Sequence, residues 1–309
     1  MLLKNASELP VRSGVGASCV SLPVGQWKTV LEFLVERFPE VGHATWIARI
    51  LAYEVLDQFG RPIDLSTFYA PHTRIFYYRA VEKEEPIPFT ERIVYRDEFI
   101  VVADKPHFLP VTPSGPYVQE TLLTRLRRSL ALDRLTPVHR IDRDTAGLVL
   151  FSIDPATRDL YHALFRDHGI RKIYEAVARS ESERSFPFHY RSRIATSQSF
   201  MQMQEVPGEP NAETIIEQQE MHGVLARYLL RPLTGRKHQL RLHMAINGMP
   251  ILNDRIYPVM VPMRSSLLPA EYDHPLQLLA KSMEFIDPVT GQHQYFESDR
   301  VLHVQSLAM

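Results

Sequence analysis

An α+β fold is what this sequence predicts, with a largely antiparallel central sheet flanked by helices and loops and a small N-terminal helical or α+β domain. Three observations carry that expectation. Strand-like segments come in pairs parted by short polar turns, as at 93–103 and 214–230, which is the pattern of hairpins. Helical patterns fall between those hairpins and not after every strand, so the regular βαβ repeat of a parallel sheet is missing. A charged, Pro-containing stretch, EKEEPIPF at 82–89, parts a helix-rich beginning from a β-rich remainder and reads as a linker. The division it suggests is an accessory domain at 1–87 and a larger domain at 88–309.

The elements follow in order. Trp27, Val30, Leu31 and Leu34 recur at i, i+3, i+4 and i+7, the apolar stripe of a helix that Pro39 ends. Trp46, Ile47, Ile50, Leu51 and Val55 form the face of a second helix, with Gly60 as its C-terminal cap. A strand is expected at 75–78, a hairpin at 93–95 and 99–103, and a basic helix at 121–132. The apolar run 148–151 reads as a short buried strand. Asp154 and Pro155 start a helix that Gly169 caps, and 173–178 returns to strand. Segments 214–218 and 224–230 form a hairpin closed at His222 and Gly223, and 238–246 is a helix capped by Gly248. Three strands, at 276–279, 283–286 and 294–296, complete the chain.

Composition bounds the function. A chain of 309 residues with 45% hydrophobic and 23% charged residues can bury a sizeable core and is not disordered in bulk. Its one cysteine, Cys19, excludes a disulfide framework and a cysteine-rich metal site and fits a reducing compartment. The opening MLLKNASELP has no long apolar core, and no apolar run approaches the roughly 18 residues of a membrane span. A soluble, cytoplasmic protein with no membrane association is expected. A net charge of −1 argues against a protein that coats nucleic acid through a global basic field. Between 121 and 172, however, ten Arg and Lys side chains face six Asp, so either a local basic surface or an ordinary solvated helix lies there.

One stretch sets ionisable groups directly against an uninterrupted apolar run: PVHRIDRDTAGLVLFS, 137–152. Thr145 and Gly147 mark the turn into the strand, so Asp142 lies in a loop at a strand's mouth. A carboxylate at the edge of a core, flanked by Arg140 and Arg143, can be held ionised in a partly desolvated pocket, ready as an acid, base or nucleophile. The plainer alternative is a loop salt bridge.

The same residues carry a resemblance. HRIDRDTAGL (139–148) is similar to the HRLDxxTSGL signature of the RluA-type pseudouridine synthases. VVADKPHFLPVTPSG (101–115) resembles that family's NKPxGLxVxP segment, RKIYEAVA (171–178) its KxYxA segment, and LTGRKHQLRLHMAINGMPILND (233–254) its TGRxHQIRxH…GxPIxGD segment. These agree in order and spacing over roughly 90–285. The resemblance implies the pseudouridine synthase fold and an RNA isomerase acting on specific uridines of ribosomal or transfer RNA. It implies RNA as the partner, no cofactor or metal, no obligatory protein partner and a monomer.

Residue by residue, the resemblance makes Asp142 the indispensable catalytic group. Tyr174 becomes the tyrosine that lies against the target base, and Arg241 the arginine that pairs with the catalytic Asp. Arg140, beside His139, matches a basic position near the flipped nucleotide. Arg143 joins them in the same loop, Arg236 and Lys237 are phosphate contacts at a helix start, and Leu278 is an apolar wall of the pocket. The N-terminal region resembles the ribosomal-protein-type RNA-binding module of many relatives in architecture only. The chain departs from the family at Ala146, Asn253 and Leu279, which bears on substrate choice. No GxxxxGK[ST] or GxGxxG segment is present, as suits a reaction without phosphate or hydride transfer. Two other functions remain: an inert RNA-binding protein on the same fold, and a metal hydrolase using His139, His238 and His243. Against the second, His238 and His243 stand five apart, off one helix face, and no HExxH pattern exists.

Overall fold

The computed structural model describes residues 9–79, 84–197, 199, 201–261 and 269–302. Glu82 and Lys83, the first residues of the expected linker, lie outside them. The chain divides into two compact units. The first is Met1–Glu84 with Pro113–Gln119 and Thr124–Asp133, and the second is Glu85–Thr112, Glu120–Leu123 and Arg134–Met309.

In the first unit, strand β1 (Ser18–Ser21) precedes helices α1 (Val30–Arg37) and α2 (His43–Leu51), and β2 (Val55–Leu56) and β3 (Arg74–Tyr77) follow. The three strands form an antiparallel sheet in the order β1-β3-β2. Thr29 caps α1 by accepting from the Glu32 N–H at 3.2 Å. Of the stripes expected on α1 and α2, Val30, Leu34, Trp46 and Ile50 are buried in one cluster with Phe33, Val55 and Ile75, whereas Leu51 is exposed. Gly60 does not cap α2. The helix stops at Leu51, Val55 has moved into β2, and Gly60 turns the chain after it, its N–H bonded to the Asp57 carbonyl.

In the second unit, among the described residues, eleven strands form one sheet: β4 (Arg92–Arg96), β5 (Ile100–Lys105), β6 (Thr136–Pro137), β7 (Ala146–Ser152), β8 (Ile170–Arg179), β9 (Phe188–Thr196), β10 (Met203–Val206), β11 (Ala212–His222), β12 (Leu225–Pro232), β13 (Leu278–Ile286) and β14 (His293–Glu297). The order is β10-β9-β11-β12-β8-β13-β7-β5-β4, with β14 on β13 and β6 on β7. Every pairing is antiparallel except that of β7 with β13. The α+β architecture expected from the hairpin pattern is the one observed. Helix α3 (Leu122–Leu130) falls across the two residue sets, α4 (Arg158–Arg166) follows β7, and α5 (Gln239–Ile246) follows β12.

All residues of β5 and β7 are buried, which is why 100–103 and 148–151 read as continuous apolar runs and not as alternations. Ile100, Val102, Leu148 and Leu150 share a cluster with Tyr161 of α4. The loop that carries Asp142 thus opens directly into one of the most deeply buried strands of the sheet. Two boundaries differ from expectation. α4 ends at Arg166, three residues before the expected cap Gly169, with His168 in the left-handed region at φ 59°, and segments 278–279 and 283–286 belong to the single strand β13, interrupted by a register shift between Ala280 and Ser282.

Gly147 illustrates why β7 tolerates little change. Its φ is 111°, and a Cβ there would lie 2.2 Å from the Ala280 carbonyl oxygen of the parallel neighbour β13. Gly147→Ala is expected to lower stability by about 3 kcal/mol or more, because backbone strain and overpacking add. A urea unfolding midpoint equal to that of the parent would show that β7 and β13 are not so closely apposed.

Candidate active site

Asp142 sits in the loop between β6 and β7, and the exit of β5 holds that loop from beneath. Lys105, the last residue of β5, is fully buried, and its Nζ donates to the Pro106 and Arg143 carbonyls, both at 2.9 Å. Burial lowers its pKa to about 7 despite the opposing pull of Asp144 and Asp142. His107 Nδ1–H donates to the Asp144 carbonyl at 2.7 Å. Two side chains from one strand end therefore tie down the two carbonyls that follow Asp142. Arg143 Nε donates to Asp144 at 2.8 Å, and this guanidinium holds the Asp144 carboxyl below its usual range against the effect of burial.

α5 faces the loop. Arg241, with a side chain 2% exposed, makes a two-pronged pair with Asp254: Nε to Oδ2 at 2.8 Å and Nη2 to Oδ1 at 2.6 Å. Its remaining terminal nitrogen, Nη1, reaches Asp142 Oδ2 at 3.3 Å. Burial opposes the charge of Arg241, but Asp254 and Asp142 outweigh it and raise the pKa above the ordinary value. The arginine is thus a bridge between two carboxylates, and its tighter bonds go to Asp254. His238 Nε2 stands 3.9 Å from the other Asp142 oxygen, Oδ1. Tyr174, on β8, is half-buried and packs against the cluster containing Leu230, Leu240 and Leu278. Burial and then the charge of Asp142 raise the pKa of its phenol well above the usual range.

The remaining expected residues divide. Arg140 is exposed, with Nη1 at 3.5 Å from Thr112 Oγ1. Arg236 and Lys237 are exposed at the start of α5, and Arg236 Nε donates to the Asn211 carbonyl at 3.0 Å. His139, expected at the RNA surface, belongs to the scaffold. Its ring stacks on Phe165 at 4.5 Å, its Nε2 accepts the Leu150 N–H at 3.1 Å, and burial lowers its pKa to about 3. A neutral ring whose acceptor is already used inside the sheet offers no cation to phosphate. Leu278 is buried in the core, as a supporting wall requires. His243 is likewise structural, with Nδ1 at Thr214 Oγ1 and Nε2 at Ser192 Oγ, both 3.0 Å, so neither nitrogen is left for a metal.

The sequence does not mark Lys105 or Asp254 as site residues, and it offers His238 only as a metal-ligand candidate of the alternative hydrolase. The available signals were a lysine ending an apolar strand run and a carboxylate thirteen residues after the helix arginine, neither of which names its partner.

Residues 99–246 match the family described as RNA pseudouridylate synthase. The chain is 29% identical over 225 residues to the dual-specificity RNA pseudouridine synthase RluA of Pasteurella multocida, covering 68% of this chain and 93% of that one. By these matches the chain is similar to the RluA-type pseudouridine synthases. It is also 34% identical over 188 residues to the human pseudouridylate synthase RPUSD2, covering 59% of this chain. It spans only 34% of that relative's length. The fold agrees with that of human RNA pseudouridylate synthase domain containing 1 at a TM-score of 0.54 and 20% identity, over 73% of this chain and 94% of that one. No helix among the described residues is long and apolar enough to cross a membrane.

The buried histidines give the site an acid limit. Burial lowers the pKa of His107 to about 4, of His139 to about 3 and of His243 to about 4. In the unfolded chain each takes its proton near 6.5, so between there and about 4 the unfolded state binds more protons and stability falls as pH falls. The urea midpoint is expected to drop steadily from pH 7 to 4.5, ahead of most carboxylate titration. A flat midpoint across that interval would exclude neutral burial of these rings.

Proposed function

We propose that this chain isomerises specific uridines to pseudouridine in ribosomal or transfer RNA, with Asp142 as the catalytic carboxylate. The observation that carries the reading is the placement of Asp142. It is 27% exposed on a loop pinned by Lys105 and His107, with Arg241 on one oxygen and the Tyr174 phenol within reach of its charge. The reaction breaks the bond from ribose to ring nitrogen, turns the uracil and rejoins it through carbon, so a single well-held carboxylate is the central requirement. In this reading Arg241 keeps Asp142 charged when RNA shuts out water. Tyr174 lends an aromatic face to the flipped base, and Arg140, Arg143, Arg236 and Lys237 meet the phosphates. Retention of Asp142, Tyr174 and Arg241 together favours an enzyme over an inert RNA-binding protein. Residues 1–87 serve as an accessory RNA-binding module, and the chain acts as a monomer in the cytoplasm, where its lone, exposed Cys19 stays reduced.

The test is a map of pseudouridines in total ribosomal and transfer RNA from cells with and without this protein, followed by incubation of the purified chain with RNA from the deficient cells. Sites that vanish with the protein and return with the purified chain support the reading. Identical maps and no new pseudouridine in vitro overturn it.

A further inference from the structure

We propose that His238 is a positioning residue for Asp142, standing against the carboxylate oxygen that Arg241 does not touch. This rests on the reading of Asp142 as the catalytic group. Arg241 Nη1 takes Oδ2 at 3.3 Å, while His238 Nε2 faces Oδ1 at 3.9 Å, so the two oxygens have different neighbours. The carboxylate is bracketed: a cation holds one oxygen, and an imidazole limits the swing of the other, the one left for substrate.

Three features show that the ring is held there. His238 is 9% exposed and opens α5 in the left-handed region, φ 55° and ψ 15°, without making a side-chain cap bond. Such a backbone is strained for a non-glycine residue and persists where the surroundings demand it. The Tyr257 hydroxyl meets Nδ1 at 3.1 Å, and the two rings stand edge to face with centroids 5.7 Å apart. Finally, Tyr257 is itself fixed by Asp254, whose Oδ1 accepts the Tyr257 N–H at 3.0 Å and the Ile256 N–H at 2.8 Å. One buried carboxylate therefore anchors both neighbours of Asp142: Arg241 directly, and His238 through Tyr257.

The hydrogen bonds also accommodate the tautomer with its proton on Nε2. The Tyr257 oxygen accepts the Met203 N–H at 2.8 Å, and its own proton has two acceptors, His238 Nδ1 at 3.1 Å and the Met203 carbonyl at 3.3 Å. Donation to Nδ1 leaves the ring proton on Nε2, directed at Asp142 Oδ1. The charged groups around the ring are Asp142, Arg241, Lys237 and Asp254, and burial, with the two cations, favours the neutral form.

The test compares His238→Asn and His238→Gln in the full chain. Asn tolerates the left-handed backbone and can meet the Tyr257 hydroxyl as Nδ1 does, but it withdraws the group facing Asp142. Gln places an amide near the Nε2 position. On ribosomal and transfer RNA from cells lacking the protein, His238→Asn is expected to keep its Tm within about 3 °C and its RNA affinity, and to lose about 10- to 100-fold in single-turnover rate. His238→Gln recovers part of that loss. A parental rate in His238→Asn, or losses in both variants that track Tm alone, overturns the positioning role. Ring-nitrogen NMR of His238 judges the contact independently of activity. The expected state is the Nε2-protonated tautomer, with a protonation midpoint that moves to lower pH in Asp142→Asn because the carboxylate favouring the imidazolium is gone. Unchanged ring signals in Asp142→Asn overturn the contact. Equal isomerisation by Asp142→Asn and the parent instead sinks the proposed function, with the NMR result standing on its own.

Discussion

Purified Asp142→Asn is expected to fold and bind RNA as the parent does and to form no detectable pseudouridine, a loss of at least about a thousandfold, or about 4 kcal/mol of transition-state stabilisation. The two side chains have the same shape, and the loop is held by the Lys105 and His107 bonds to main-chain carbonyls, which the change leaves alone. Arg241 is not stranded either, because its two-pronged bond goes to Asp254. Stability should therefore stay within about 1 kcal/mol of the parent. What disappears is the negative charge at the mouth of β7. Single-turnover assays at saturating RNA, paired with urea unfolding, measure both halves of this expectation. Substantial pseudouridine formation by the variant would remove Asp142 from the centre of the mechanism.

Arg241→Met should fail in both respects, and the reason is visible only in three dimensions. The Asp254 side chain is 1% exposed, and losing its guanidinium leaves a carboxylate buried without its ion-pair partner, a change that commonly costs about 3–5 kcal/mol. The chemical step should fall with it, since Asp142 loses the cation on Oδ2. The double variant Arg241→Met, Asp254→Asn, which removes the buried charge but keeps an acceptor for the Ile256 and Tyr257 N–H groups, is expected to regain part of the stability and none of the activity, which separates the two roles. Arg241→Lys should recover little, because one ammonium cannot make a two-pronged bond to Asp254 and also reach Asp142. The salt dependence of RNA binding should be nearly unchanged throughout, whereas a phosphate contact would lower the slope by up to about one. Arg241→Met with parental stability and a parental single-turnover rate would refute the bridge between Asp142 and Asp254.

The sequence by itself determined the class of the fold and singled out Asp142 as the candidate for its central residue. Local periodicity was enough for α1 and α2, whose stripes needed only one apolar face, and the unbroken run into β7 announced a strand covered on both sides. The order of four motifs placed Asp142, Tyr174 and Arg241 in one family before any contact was known. Strand β9 does carry a period-two alternation, with Phe188, Tyr190, Ser192 and Ile194 inward and His189, Arg191 and Arg193 exposed, but its high polar content masks it, and β10 is only four residues long. β9 takes its register from β11, and β10 takes its register from β9. Only the tertiary structure decided the partners. Asp254 comes from beyond α5, Lys105 from the end of β5 and His139 from the loop before β7, and what each side chain touches depends on segments far apart in sequence. Sequence spacing records which groups a chain owns. The directions in which a packed sheet and helix force those groups to point decide that Arg241 grips Asp254 more tightly than Asp142, and that His139 faces the core instead of RNA.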